Sequence, residues 1–151
     1  MLREKINEAT KEAMKSGDKL KLSTLRLMNA AIKNSDIEAR TASKQPPSDE
    51  DLLGLFQKLI KQRQESVELY EKGGRTELAA QEKAEIEVIK GFLPQQMAEA
   101  EVKAAIAGII KETGATSVKD MGKVMAALKE RYAGKMDFGK ASGAVKGQLA
   151  G

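Results

Sequence analysis

Residues Ser48 to Gly74 read SDEDLLGLFQKLIKQRQESVELYEKGG. Ser48 followed by Asp49, Glu50 and Asp51 is a capping-box pattern, in which a hydroxyl and a carboxylate three residues on satisfy amides that a helix start leaves without partners. Behind it Leu52, Phe56, Leu59/Ile60, Val67 and Tyr70 recur every three to four residues, the spacing of one helix face. Arg63 falls on the same stripe, where its aliphatic stem can extend over the apolar surface. Gly73-Gly74 closes the run with residues that tolerate the left-handed backbone of a helix end. The stretch reads as one amphipathic helix, the third of the chain.

The pattern repeats outward in both directions. Leu2, Ile6, Ala9 and Ala13 mark a first helix over about residues 2–15, stopped by Ser16-Gly17. Asp18 can cap a second, whose stripe is Leu22, Leu25, Met28/Asn29 and Ile32. It runs to about Arg40, and Pro46-Pro47 then deny the backbone donors and fix φ. Downstream, Thr76 is the expected cap of a fourth helix carrying Leu78/Ala79, Ile86 and Ile89. Pro94 follows Phe92-Leu93 and biases the residue before it out of the helical region, which sets a boundary. A fifth helix carries Val102, Ile106 and Ile109/Ile110 and closes at Gly114. Ser117-Val118-Lys119-Asp120 reads as a second capping box, opening helix six with Met121, Val124, Met125 and Leu128 inward. After Gly134, Asp137 caps helix seven, with Phe138, Ala141, Val145 and Leu149. The expected fold class is all-α, with an N-terminal domain of about four helices over 1–94 and a C-terminal three-helix bundle over 95–151.

Composition supports that class. Hydrophobic residues make up 41% of the chain but aromatics only 3%, so the core is built from Leu, Ile, Val, Met and Ala, which favours helices. The absence of Cys removes disulfides and thiolate zinc sites and fits a reducing compartment. Met1-Leu2-Arg3-Glu4-Lys5 lacks the apolar core of a signal peptide, and no run approaches the roughly 20 apolar residues that span a bilayer. A cytoplasmic location, with no membrane association, is the expectation. Residues 1–94 hold 17 Lys+Arg against 16 Asp+Glu, and residues 95–151 hold 9 against 6. An anionic partner is therefore sought in the last third.

Catalytic chemistry is hard to build from these residues. Without His or Cys there is no imidazole base, no thiol nucleophile and no imidazole metal ligand. No glycine-rich phosphate loop is present, and no cofactor or metal site is expected. Asp49, Glu50 and Asp51 read as first-turn acids that the helix dipole favours rather than as cation ligands. Ser142 and Lys146 are spaced like a Ser–Lys pair, but such a pair needs a buried lysine and an oxyanion hole. Glu82, Glu85 and Glu87 read as a solvated face beside Lys83 and Lys90. The one purposeful surface is the outer side of helix six, where Lys119, Gly122, Lys123 and Ala126 lie opposite the apolar stripe, with Glu130 at the far end. A helical Gly costs about 1 kcal/mol relative to Ala. Either a partner's backbone approaches closely there, with lysines and helix amides meeting phosphates, or Gly122 packs against another helix of the chain. Lys135 and Lys140, on the turn before helix seven, extend the set into one basic patch. So few aromatics argue against stacking on single strands and suit a folded RNA read by shape and backbone.

At these residues the chain resembles the YqeY family over essentially its whole length. The likeness is carried by Leu25-Arg26-Leu27-Met28-Asn29-Ala30-Ala31-Ile32-Lys33-Asn34, Lys61-Gln62-Arg63-Gln64-Glu65-Ser66 and Gly73-Gly74-Arg75. Phe92-Leu93-Pro94-Gln95-Gln96 and Asp120-Met121-Gly122-Lys123-Val124-Met125 carry it most strongly. From about residue 95 the chain is similar to the tail domain of the B subunit of the glutamine-dependent aspartyl/glutamyl-tRNA amidotransferase. The resemblance implies a noncatalytic module that engages tRNA and assists a tRNA-handling enzyme. Two alternatives stand beside it: a helical protein–protein adaptor, and an accessory with carbon–nitrogen ligase activity (glutamine as amido donor) only within a complex. Ala98 departs from the family pattern, in which Ser or Thr is common before helix five. That start is expected to fray and the hinge before it to loosen.

Overall fold

Asp18 accepts a hydrogen bond from the Lys21 amide at 3.1 Å and separates two helices, α1 (Leu2–Ser16) and α2 (Lys19–Thr41). Gly17 turns the chain between them at φ 72°, a backbone region that costs an L side chain about 1–2 kcal/mol. The structure is a computed structural model and describes residues 1–150. Next come α3 (Asp49–Lys72), α4 (Thr76–Lys90), α5 (Glu99–Thr113), a 3₁₀ turn (Val118–Asp120), α6 (Met121–Arg131) and α7 (Phe138–Ala150). No strand occurs among the described residues. The all-α class expected from the hydrophobic spacing is what the molecule adopts.

The chain divides into two compact units, Met1–Pro94 and the residues from Gln95 on. In the first, α3 and α4 form a hairpin about Gly73-Gly74, α1 pairs with α2, and α2 also packs on α4. Ile6, Leu25, Met28, Leu52, Phe56 and Ile89 are fully buried there, each side chain worth about 1.5–3 kcal/mol. The capping box at Ser48 is complete, with both reciprocal bonds to Asp51 made. Two polar links fasten α1 to α2. Arg3 forks onto both Asp36 oxygens at 2.7 and 2.8 Å, and Asn29 Nδ2 donates to Thr10 Oγ1 at 3.2 Å.

In the second unit α5, α6 and α7 pack on one another around Ile106, Ile109, Val124, Leu128 and Val145. Asp137 Oδ1 accepts from the Gly139 amide at 2.8 Å, the expected cap of α7.

Three local readings need correction. Thr76 does not cap α4 but is its first residue. The N-cap is Arg75, which makes no side-chain cap bond. Gly74 at φ 73° reverses the chain so tightly that the Arg75 amide already donates to Tyr70 O, and the helix begins one residue early. Ser117–Asp120 opens a 3₁₀ turn rather than α6 itself. At α5 no side chain caps Ala98, yet the start is held from both sides. Glu101 accepts from the Ala98 amide at 3.3 Å, the Met97 amide donates to Lys135 O at 2.9 Å, and Gln96 Nε2 donates to Gly134 O at 2.6 Å. The expectation of fraying weighs the missing cap alone, and these bonds oppose it.

Candidate nucleic-acid interface

The start of α6 is built by Asp120. Its carboxylate accepts from the Thr116 amide at 3.0 Å and the Ser117 amide at 3.4 Å. Those two amides, more than burial opposes, hold Asp120 below the usual carboxylate range, with nearby Lys123 a lesser cause. This anchor fixes the 3₁₀ turn that carries Lys119 and leads into Met121. Val124 and Leu128 then point into the core, with Met121 and Met125 half-buried beside them.

The remaining side of α6 is open. Lys119, Gly122, Lys123, Ala126 and Glu130 are all exposed. A Cβ placed on Gly122 would meet no atom within 4 Å, so packing inside the chain does not require a glycine there. Among the described residues neither Lys119 nor Lys123 enters an ion pair. One detail differs from expectation. The Met121 amide donates to Val118 O and the Asp120 amide to Ser117 O. The opening amides of this helical run therefore precede Gly122 rather than surround it.

Lys135 and Lys140 are exposed as well, but Lys135 lies in the turn that follows the other end of α6 and Lys140 in the first turn of α7. The eleven residues of α6 rise about 16 Å. Lys119 and Lys123 stand four residues apart at its start, and Lys135 and Lys140 follow its end.

Elsewhere the candidates weighed from sequence fall into ordinary roles or surprising ones. Lys146 is exposed beside half-buried Ser142, without the burial that a Ser–Lys nucleophile needs. Asp49 stands near the N-terminal amine at 4.0 Å, and Asp51 is spent in the capping box. The glutamates of α4 are not one solvated face. Glu85 is buried, and with Glu82 it flanks Arg63 of α3 at 3.5 and 3.8 Å. Burial first and the neighbouring Glu82 second push the Glu85 carboxyl up, against the pull of Arg63. Arg63 thus does more than lay its stem on the core: its side chain is 13% exposed and Nε faces the carboxylates. A cation on an apolar stripe was the available signal, since its charge needed a counterion from the facing helix.

The molecule is thus an all-helical protein of two compact units, the second presenting an open lysine–glycine helix face. The family model described as Yqey-like protein matches residues 3–149, and the chain belongs to that family. Its relatives include proteins named "Altered inheritance of mitochondria protein 41, mitochondrial" from several fungi. The one from Lachancea thermotolerans is 36% identical over 71% of this chain and 57% of its own length. That from Vanderwaltozyma polyspora is 34% identical over 77% and 64%, and that from Pyrenophora tritici-repentis 34% over 80% and 67%. The chain spans roughly half to two-thirds of the length of these relatives. Those relatives are named as mitochondrial, which overturns the expectation of a cytoplasmic location. That expectation rested on a Cys-free composition and an N-terminus unlike a secretory signal, neither of which separates one non-secretory compartment from another. No helix among the described residues is long and apolar enough to cross a membrane.

Proposed function

We propose that this protein is a noncatalytic tRNA-binding module, related to the tail of the tRNA amidotransferase B subunit and assisting a tRNA-handling enzyme. The observation that carries the reading is the open start of α6. There Lys119 and Lys123 flank a glycine that the chain's own packing does not need. Two unpaired cations beside a bare stretch of helix suit a phosphate backbone that must come close. Lys135 and Lys140 extend the contact past the far end of α6. Membership of the Yqey-like family and the sequence likeness to the amidotransferase tail support the same reading. The adaptor alternative draws on the exposed side chains of Met14, Leu27, Ile37, Leu69 and Leu78, which are spread over four helices, and single exposed apolar residues are ordinary on a protein surface.

Filter binding with bulk tRNA at low salt tests the proposal. The full chain should retain tRNA well above an acidic control protein, and K119E/K123E should weaken retention at least about tenfold, as expected for lost phosphate contacts. Equal retention by the two proteins would remove these lysines from the interface.

A further inference from the structure

Helix α2 carries a charge pattern that the near-neutral total of its unit conceals. Lys19, Arg26, Lys33 and Arg40 stand seven residues apart along its 23 residues. Seven residues bring a helix back to within about 20° of the same direction, so the four cations lie in a band about 60° wide. They step about 10.5 Å at a time and span about 32 Å. All four are exposed, opposite the buried side made by Thr24, Leu25, Met28 and Ile32.

The row is not neutralised from within. Among the described residues none of the four enters an ion pair. Of the two acids on α2, Asp36 is held by Arg3 in a two-pronged bond, with Arg40 close enough to favour its charged form. Glu38 projects well to one side of the band. At its C-terminal end the row meets an open cleft lined by Arg3, Arg40 and Lys44 around Asp36.

What lies between the cations selects the partner. Ile37 lies in the band with Ala30 and Ser23 bordering it, all exposed, and Leu22, at its other edge, is half-buried against the core. A membrane-surface helix needs bulky apolar side chains to enter the lipid, and this face has one Ile and no aromatic. A partner helix would need an apolar seam beside the charges, and Leu22 there is half-buried against the core, leaving Leu27 and Ile37 as the exposed large apolar side chains of α2. Evenly spaced cations on a narrow face with small neighbours match a regular, stiff polyanion.

We infer that α2 is a contact surface for the phosphate backbone of duplex RNA, separate from the face on α6. The inference builds on the nucleic-acid reading above but uses different residues, so the two can fail apart. The test measures anisotropy of a labelled, roughly 20-base-pair RNA duplex titrated with the full chain across a salt series, alongside vesicles of phosphatidylglycerol and phosphatidylcholine. The expected result is that R26Q/K33Q weakens duplex binding about tenfold at low salt. It should also flatten the dependence of log K on log salt by about 1.4 to 1.8, the share of two phosphate contacts. K119E/K123E serves as the comparison. If R26Q/K33Q matches the parent in affinity and slope, the α2 surface is overturned, and the α6 reading stands only where K119E/K123E still loses binding. If R26Q/K33Q loses binding and K119E/K123E does not, the α2 surface stands and the α6 reading falls. Vesicle binding that R26Q/K33Q abolishes while duplex binding is unchanged would overturn the inference in favour of a membrane surface. Unchanged thermal unfolding of the variants excludes loss of fold as the cause.

Discussion

The two compact units solve the problem of a nearly aromatic-free core differently. The first has four long or medium helices, places Phe56, Met28 and several Leu and Ile at zero exposure, and encloses a charged cluster of Arg63, Glu82 and Glu85. The second has three shorter helices over smaller residues such as Ala141, Val145 and Val124, and among its described residues the one ion pair is the exposed Arg131–Glu112. A unit of that size buries a smaller share of its surface, so backbone anchors such as Met97 to Lys135 matter more there. The contrast teaches where each unit places its charge. The first uses some of it inside to fix how α3 meets α4, and the second keeps its lysines outside. That each unit folds as an independent domain is our proposal, and the variants below bear on it.

The largest expected effect sharpens the first half of the contrast. Arg63→Met removes the cation that Glu82 and Glu85 face among the described residues, a change that costs about 3 kcal/mol when a buried ion is left unpaired. Chemical denaturation should show that loss in the first unit, with amides of α5 to α7 retaining their hydrogen-exchange protection. Loss of protection throughout the chain would mean that the units do not unfold separately.

A smaller effect concerns Glu85. Its carboxyl titrates higher in the folded chain than in the unfolded one, so the folded state binds the extra proton. That contribution is full below the unfolded value and is lost as pH rises through the folded one. Glu85→Gln should therefore gain stability relative to the parent as pH rises from about 4 to 8. Tm curves of the two proteins that run parallel over that range would show that burial does not disfavour the Glu85 charge.

Helix positions were legible because the apolar stripes obey one spacing from Leu2 to Leu149, and because glycines at 17, 74, 114 and 134 adopt the positive φ that ends or reverses a helix. The Arg63–Glu82–Glu85 cluster was hidden, since no rule of spacing within one helix says which glutamates of α4 face α3. The cationic row of α2 was hidden by counting: 17 bases against 16 acids averages away a segregation that a helix face reveals. The anchoring of the Gln96 side chain and the Met97 amide to the carbonyls of residues 134 and 135 joins groups far apart in sequence, where hydrophobic spacing is silent.

The central claim is that the glycine face of α6 is kept bare for a nucleic acid rather than for packing. Gly122→Gln separates the two, because the added side chain enters open space and Gln is a better helix former by up to about 1 kcal/mol. Thermal unfolding and tRNA affinity should be measured on the same sample. The account predicts that Tm holds or rises while affinity for tRNA falls about tenfold, the loss of roughly 1.4 kcal/mol of contact. A variant that binds tRNA as tightly as the parent would contradict it.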